Sequence, residues 1–387
     1  MSSISLSVPS IGGNEWKYVK ECLDTEWVSS AGKFVGLFEE KIADYTGAKF
    51  AIACVNGTSA LQVSLRLAGV SSGNEVILPT LTFIAPVNAV AYNGASPIFM
   101  DSDEYYNIDT EKTIEFINNE TVFKNGFTFN KTTDKKITAI LPVHVWGNAA
   151  WMDELILLCA ERNIAVVEDA CESLGTFFLK GIHLGKHTGT IGTLGCLSFN
   201  GNKIITTGGG GMILTNDESL AERARYLTTQ AKDDPLRYTH NEIGYNFRLT
   251  NIQAAIGVAQ LEQLPSFLNE KRRIHQQYID AFENIEGLKM VKSPQYANNN
   301  HWMNLFQIAD QHRKNFNIER IMLQFKKKSV ETRPVWLLNH LQFPYKECQN
   351  YKINNAHTLH KYSLCVPSSS NLSDKDFEKI VNICKKL

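Results

Sequence analysis

The chain of 387 residues is 43% hydrophobic and 20% charged. That length buries a sizeable core without disulfide or metal staples, and it allows one large α/β domain with a smaller one beside it. With 39 basic against 40 acidic side chains and a net charge of −1, no basic excess or stripe marks a nucleic-acid partner.

From about residue 45 to 215, short apolar strands alternate with amphipathic helices, which predicts a mostly parallel sheet covered on both faces. FAIACV (50–55) is the first strand, and a helix from Ser59 follows, ending at Gly69. EVILP (75–79) is the next strand, then a helix near Ala85 to Tyr92. SPIFMD (96–101) and ITAILPVHVW (137–146) are further strands, and WMDELILLCAER (151–162) is a helix. IAVVED (164–169), GCLSF (195–199) and GMILTN (211–216) complete the strands. Residues 217–231 read as a helix capped by Asp217. Residues 250–264 read as one capped by Thr250 and closed by Pro265, with a helical connector over 266–284. The pattern then turns to shorter mixed elements. We expect a large domain over 12–260 and a smaller α+β domain over 261–387, with residues 1–11 packing on the smaller one.

Ligands of an open parallel sheet bind outside the carboxyl ends of its strands. Four segments lie there. Asn56-Gly57-Thr58-Ser59 opens a helix whose free N–H groups suit a phosphate, although Thr58 or Ser59 as a plain helix cap reads equally well. Glu168-Asp169 ends a buried strand, as a ligand carboxylate or a loop residue. In Ser198-Phe199-Asn200-Gly201-Asn202-Lys203 a lysine follows a strand inside a turn. Desolvation there lowers an amine's pKa and makes it nucleophilic, whereas a solvated surface lysine is the plain alternative. Gly208 to Gly211 lacks the spacing of a phosphate loop and reads as a tight turn. Together, a phosphate cradle, a strand-end carboxylate and an activated lysine meet the needs of pyridoxal phosphate.

The eight cysteines are scattered, none at CxxC spacing, and most sit in apolar runs, so free thiols in a reducing compartment are expected. His183 and His187 are four apart but surrounded by glycines, so no metal site is expected. MSSISLSVPSIGG has no basic start followed by an apolar stretch, and no segment approaches the roughly 20 apolar residues of a membrane span. We therefore expect a cytoplasmic protein with no membrane partner.

NGTSAL (56–61), PTLTFIAPVNAV (79–90), VEDACESLG (167–175), SFNGNKIITTGGGGMI (198–213) and HNEIGYNFRLTNIQAAIGVAQLEQL (240–264) occur in one order. In these motifs the chain resembles the DegT/DnrJ/EryC1/StrS sugar aminotransferases, from about residue 8 to the C-terminus. With QAKDDP (230–235) and TRPVWLLNH (332–340), it looks most like the subgroup that aminates C4 of nucleotide-linked 4-keto-6-deoxy hexosamines for bacillosamine and legionaminic acid. The resemblance implies a fold-type-I pyridoxal-phosphate enzyme with a mostly parallel seven-stranded sheet. Lys203 matches the Schiff-base lysine and Asp169 the partner of the pyridine nitrogen. Gly57, Thr58 and Ser59 match the phosphate site, with Ser198 adding its hydroxyl, and Phe83 the aromatic on the ring. Asn246 is expected to reach the phosphate of a neighbouring subunit, with Arg248 near that interface, which implies a homodimer with shared sites.

There are departures. Glu172 stands where the wider family often has Gln near the ring hydroxyl, and Asn200 and Asn202 stand where it often has His. Lysine is kept at 203, where relatives that remove a hydroxyl have histidine. Arg248 and Arg333 are candidates for substrate carboxylate or phosphates, or for structural ion pairs; His301 is a candidate for facing the sugar, or a structural histidine. The implied reaction moves the amino group of L-glutamate to C4 of a sugar nucleotide, UDP-2-acetamido-4-keto-2,4,6-trideoxyglucose in the first instance. A GDP-linked perosamine-type sugar, a C3-keto sugar, or a non-enzymatic sugar-nucleotide sensor are the alternatives.

Overall fold

The computed structural model describes residues 3–234, 236–314 and 317–387. Pro235 of the QAKDDP motif, and Met1 and Ser2 of the N-terminal segment, lie outside the described residues. The predicted strands become β1 (Phe50–Cys54), β2 (Glu75–Pro79), β3 (Ser96–Met100), β4 (Lys136–Ile140), β5 (Ala165–Asp169), β6 (Leu194–Ser198) and β7 (Gly211–Thr215). Their order across the sheet is β1-β7-β6-β5-β4-β2-β3. The run from β6 to β3 is parallel throughout, and β7 is antiparallel to both its neighbours. All five residues of β2 and of β7 are buried, because helices cover both faces of the sheet. The sheet is wider than the seven strands expected. A hairpin, Thr121–Lys124 with Phe127–Asn130, adds to β4, and Asn350–Tyr351 adds in parallel to β3, which makes ten strands.

Two sequence expectations need correction. The strand expected over 137–146 leaves the ladder after Ile140. The Pro142 carbonyl still accepts the Asp169 N–H at 2.9 Å, and Trp146 then turns left-handed at φ 53°. The helix expected to close at Pro265 instead runs unbroken from Asn251 to Phe282. Proline removes one donor, but Leu264, Phe267 and Leu268 around it are buried, so tertiary packing carries the helix through. Residue 260, the expected boundary, therefore lies inside this helix. Two helices that the periodicity left unassigned, Glu15–Asp24 and Lys33–Thr46, pack on it: Phe34 N–H donates to Asn251 Oδ1, and Asn251 Nδ2 to the Trp27 carbonyl.

A second sheet, Leu288–Met290, Asn304–Ile308, Ser363–Val366 and Arg333–Pro334, has its own core around Tyr278, Phe306, Phe325 and Leu364. Ile4 joins that core and bridges to Val330. The segment 339–356 crosses back onto the large sheet. There the Asp101 carboxylate accepts the N–H groups of Asn354, Asn355 and Ala356 as helix Asn355–Tyr362 begins. No described helix is long and apolar enough to cross a membrane.

Candidate active site

The carboxyl ends of β5 and β6 and the helix after β1 converge on one cavity of about 330 Å³. The helix Gly57–Leu67 is capped by Asn56, whose Oδ1 accepts the Ser59 N–H at 2.8 Å; the cap left open between Thr58 and Ser59 is neither. The Ala60 N–H goes to the Asn56 carbonyl. Gly57 and Thr58 N–H find no protein acceptor among the described residues, and both residues line the cavity. They are ready donors at a positive dipole end. Two glycines permit this convergence. A Cβ on Gly57 would lie 2.9 Å from Cys171 Sγ and from Ser198 Cβ, and one on Gly211 would lie 2.4 Å from the Asn56 carbonyl carbon and 2.7 Å from Gly57 N.

Asp169 ends β5 with 4% of its surface exposed. Its Oδ1 accepts the Cys171 N–H at 3.0 Å, and no cation makes an ion pair with it among the described residues. Burial pushes its carboxyl up, against the Cys171 hydrogen bonds and the charges of Lys203 and His144. A buried carboxylate without a cation suits a protonated ring nitrogen. The neighbouring Glu168 is satisfied. His144 Nε2–H donates to it at 3.0 Å, and the N–H groups of Gly189, Ile191 and Gly192 donate at 2.8, 2.7 and 2.6 Å. Burial alone raises Glu168; the His144 bond and these donors outweigh it and hold the carboxyl below its usual range.

Lys203 follows the turn in which its own N–H donates to the Asn200 carbonyl at 3.0 Å. Its side chain is 14% exposed, its Nζ lies 3.4 Å from Glu172 Oε1 and 3.9 Å from the centroid of the Trp302 ring. Glu172 Oε2 accepts the Trp146 N–H at 2.8 Å, so this carboxylate ties the lysine to the Trp146 turn. Burial pushes the Glu172 carboxyl up, opposed chiefly by Lys203. Phe83 is 52% exposed at the mouth, its ring 6.3 Å from Trp336, which stacks on Trp146 at 4.9 Å. The donor cluster, the uncompensated Asp169 and the sheltered amine fit pyridoxal phosphate. Gly57, Thr58 and Ser198 would hold the phosphate, Asp169 the ring nitrogen and Lys203 the aldehyde carbon.

Of the residues singled out from sequence, Gly57, Thr58, Phe83, Asp169, Glu172, Ser198, Asn200, Asn202 and Lys203 line this cavity. Ser59 is buried behind it. Asn246 and Arg248 are exposed, on a segment held beside Val55, whose N–H meets the Phe247 carbonyl at 2.7 Å. His301 turns away to stack on His275 at 4.0 Å, and its neighbour Trp302 takes the cavity wall. Arg333 pairs with Glu331 and lines an adjoining cavity of about 460 Å³, which shares Asn202, Trp302 and Trp336 with the first. Trp302, Trp336 and Cys171 are cavity residues that sequence reading left without a role. His187 is structural: its Nδ1–H donates to the Thr188 carbonyl, and its Nε2 accepts the Gly175 N–H at 2.8 Å. All eight cysteines are free.

The family model described as the DegT/DnrJ/EryC1/StrS aminotransferase family matches residues 9–385. The GDP-perosamine synthase of Escherichia coli O157:H7 is 37% identical over 391 residues, covering 100% of this chain and 98% of its own. The GDP-perosamine synthase of Caulobacter vibrioides is 36% identical over 381 residues, covering 98% and 96%. The solved aminotransferase from Psychrobacter cryohalolentis superimposes with a TM-score of 0.85 at 26% identity, covering 98% of this chain and 97% of that one.

Proposed function

The chain belongs to the DegT/DnrJ/EryC1/StrS aminotransferase family of pyridoxal-phosphate-dependent sugar aminotransferases, and from that premise we propose that it moves the amino group of L-glutamate to C4 of a nucleotide-linked 4-keto-6-deoxy sugar. The observation that carries this reading is the Lys203 amine, sheltered in one cavity with Asp169 and the free N–H groups of Gly57 and Thr58.

Bound pyridoxal phosphate supplies an aldehyde that bonds to amines and a ring that accepts the electron pair left when an adjacent proton is removed. The protein's residues do the rest. Asp169 would hold the ring nitrogen protonated. Phe83, at the mouth of the cavity, would pack on the ring. Lys203 would take up the proton from the donor's Cα and, in the sugar half of the cycle, deliver a proton to the sugar carbon that receives the nitrogen. Glu172 keeps that amine within reach. The apolar wall of Trp302 and Trp336 limits water around it.

The motif resemblance supports UDP-2-acetamido-4-keto-2,4,6-trideoxyglucose as acceptor. The two GDP-perosamine synthases support a GDP-linked perosamine-type sugar as the second reading. Asn246 and Arg248 do not reach their own chain's cavity, and Leu236, Tyr238 and Ile243 on the same stretch expose apolar surface. These features support a homodimer in which each chain completes the other's phosphate site. The same reading assigns residues 12–260 to the cofactor and 261–387 to the smaller domain. The free thiols support a reducing, cytoplasmic compartment.

The test is a two-step absorbance experiment. L-Glutamate should bleach the visible band of the cofactor-loaded protein, and UDP-2-acetamido-4-keto-2,4,6-trideoxyglucose should restore it. Restoration by the GDP-linked 4-keto sugar alone would favour the second reading, and no bleaching with glutamate would reject the donor.

A further inference from the structure

Lys271 lies on the long helix with 3% of its surface exposed. Burial holds its amine down to about 7. A buried amine ordinarily meets a carboxylate. Lys271 makes no ion pair among the described residues. It donates instead to two backbone carbonyls from separate segments, Trp302 at 3.0 Å and Ser368.

Trp302 is held at its other end as well. Its N–H donates to Asn300 Oδ1 at 2.9 Å, and Asn300 Nδ2 is itself spent on the carbonyls of Glu172 and Leu174. The indole N–H donates to the Asn202 carbonyl at 2.6 Å, one residue before Lys203. Between Asn300 and Trp302, His301 sits at φ 50°, a left-handed conformation that a non-glycine residue adopts at a cost. The anchors on either side maintain that bend, and the bend turns the Trp302 ring against the Lys203 amine at 3.9 Å. The ring favours an amine held in that place.

We infer that Lys271 is a positioning residue that sets Trp302 against the Lys203 amine, and so fixes where the reactive nitrogen stands. The Ser368 carbonyl extends the same lock to the N-terminal segment, because the Ser368 N–H donates to the Leu6 carbonyl at 2.7 Å. The inference rests on Lys203 being the lysine that bonds the cofactor.

Capture of free pyridoxal phosphate by the full-length protein stripped of cofactor reads this link without turnover. The Lys203 amine condenses with the aldehyde, one water leaves, and a visible band grows. Loss of the band in Lys203→Ala tests the underlying assignment on its own. Lys271→Met should slow capture by on the order of tenfold, and Trp302→Ala by a similar factor. The double variant should be no slower than Trp302→Ala, because both act through one ring. Capture by Lys271→Met at the unaltered rate, or effects that multiply in the double variant, would overturn the inference. If Lys271→Met does not fold, Lys271→Gln, which keeps N–H donors on a shorter stem, is read by the same two outcomes.

Discussion

Lys203 is one of many lysines in the chain, and only its surroundings separate it from the others. Position after a strand end was visible in sequence; the Glu172 oxygen at 3.4 Å and the Trp302 ring at 3.9 Å were not, because both come from distant segments. Lys203→Ala is expected to lower turnover by at least about 10²-fold, the scale of a lost general base, and to abolish the visible band. Steady-state rates and an absorption spectrum check it. Asp169 makes a sharper test. Burial disfavours its charge in the empty protein, so Asp169→Asn should raise the melting temperature without cofactor. With cofactor the sign should invert, since the ring nitrogen loses its partner. Calorimetry with and without pyridoxal phosphate would show both signs, and a parallel shift in the two states would count against the assigned role. His301 shows the limit of reading one residue at a time. A histidine drew attention on its chemistry, whereas the tryptophan beside it reached the cavity because a left-handed bend at His301 turned it inward.

At the scale of elements, the seven central strands of the large sheet were legible almost to the residue, since each is a short buried run closed by a turn or a charge. The edge hairpin over 121–130 and Asn350–Tyr351, shorter or more exposed, were not, nor were the strands of the second sheet. Among these seven the exception is 137–146: apolar composition continues to Trp146, whereas the continuous ladder ends at Ile140 and only a single bridge, Val143 to Asp169, follows. The helix continuing through Pro265 was missed for the converse reason, as its buried face outweighs one lost hydrogen bond. What holds the strand ends together is the Glu168–His144 pair, linking the loop after β4, the end of β5 and the turn before β6. Removing one partner of such a buried pair costs about 3–5 kcal/mol, so Glu168→Ala should lower the unfolding free energy by that much. Its carboxyl is held below the usual range in the folded protein. The stabilisation is therefore complete above the unfolded value of about 4.3 and is lost as pH falls through the folded value. Denaturant melts of Glu168→Gln and the unaltered protein should converge in that acid window and separate above it. Gly211→Ala, whose added methyl would meet the Asn56–Gly57 backbone, should cost about 1–3 kcal/mol and weaken cofactor binding, read by titration of the visible band.

The whole molecule carries what neither residues nor elements reveal. Sequence composition allowed a large and a small part, and two sheets with separate cores are present. Their connections were illegible: the segment 339–356 returns to the large sheet, and the N-terminal residues reach the small core, both through pairings more than 200 residues apart in sequence. The exposed Asn246 and Arg248 belong to this scale too. A chain of 43.5 kDa that completes its neighbour's site should elute at twice that mass by light scattering, and Asn246→Ala should weaken cofactor binding without altering that mass. The reaction itself is tested most directly by the carbon that receives the nitrogen. Purified protein with pyridoxal phosphate, ¹⁵N-labelled L-glutamate and UDP-2-acetamido-4-keto-2,4,6-trideoxyglucose should yield a sugar nucleotide bearing ¹⁵N on C4 by NMR, with one 2-oxoglutarate formed per amine. Nitrogen on another carbon, or no transfer to this or the GDP-linked acceptor, would contradict the account.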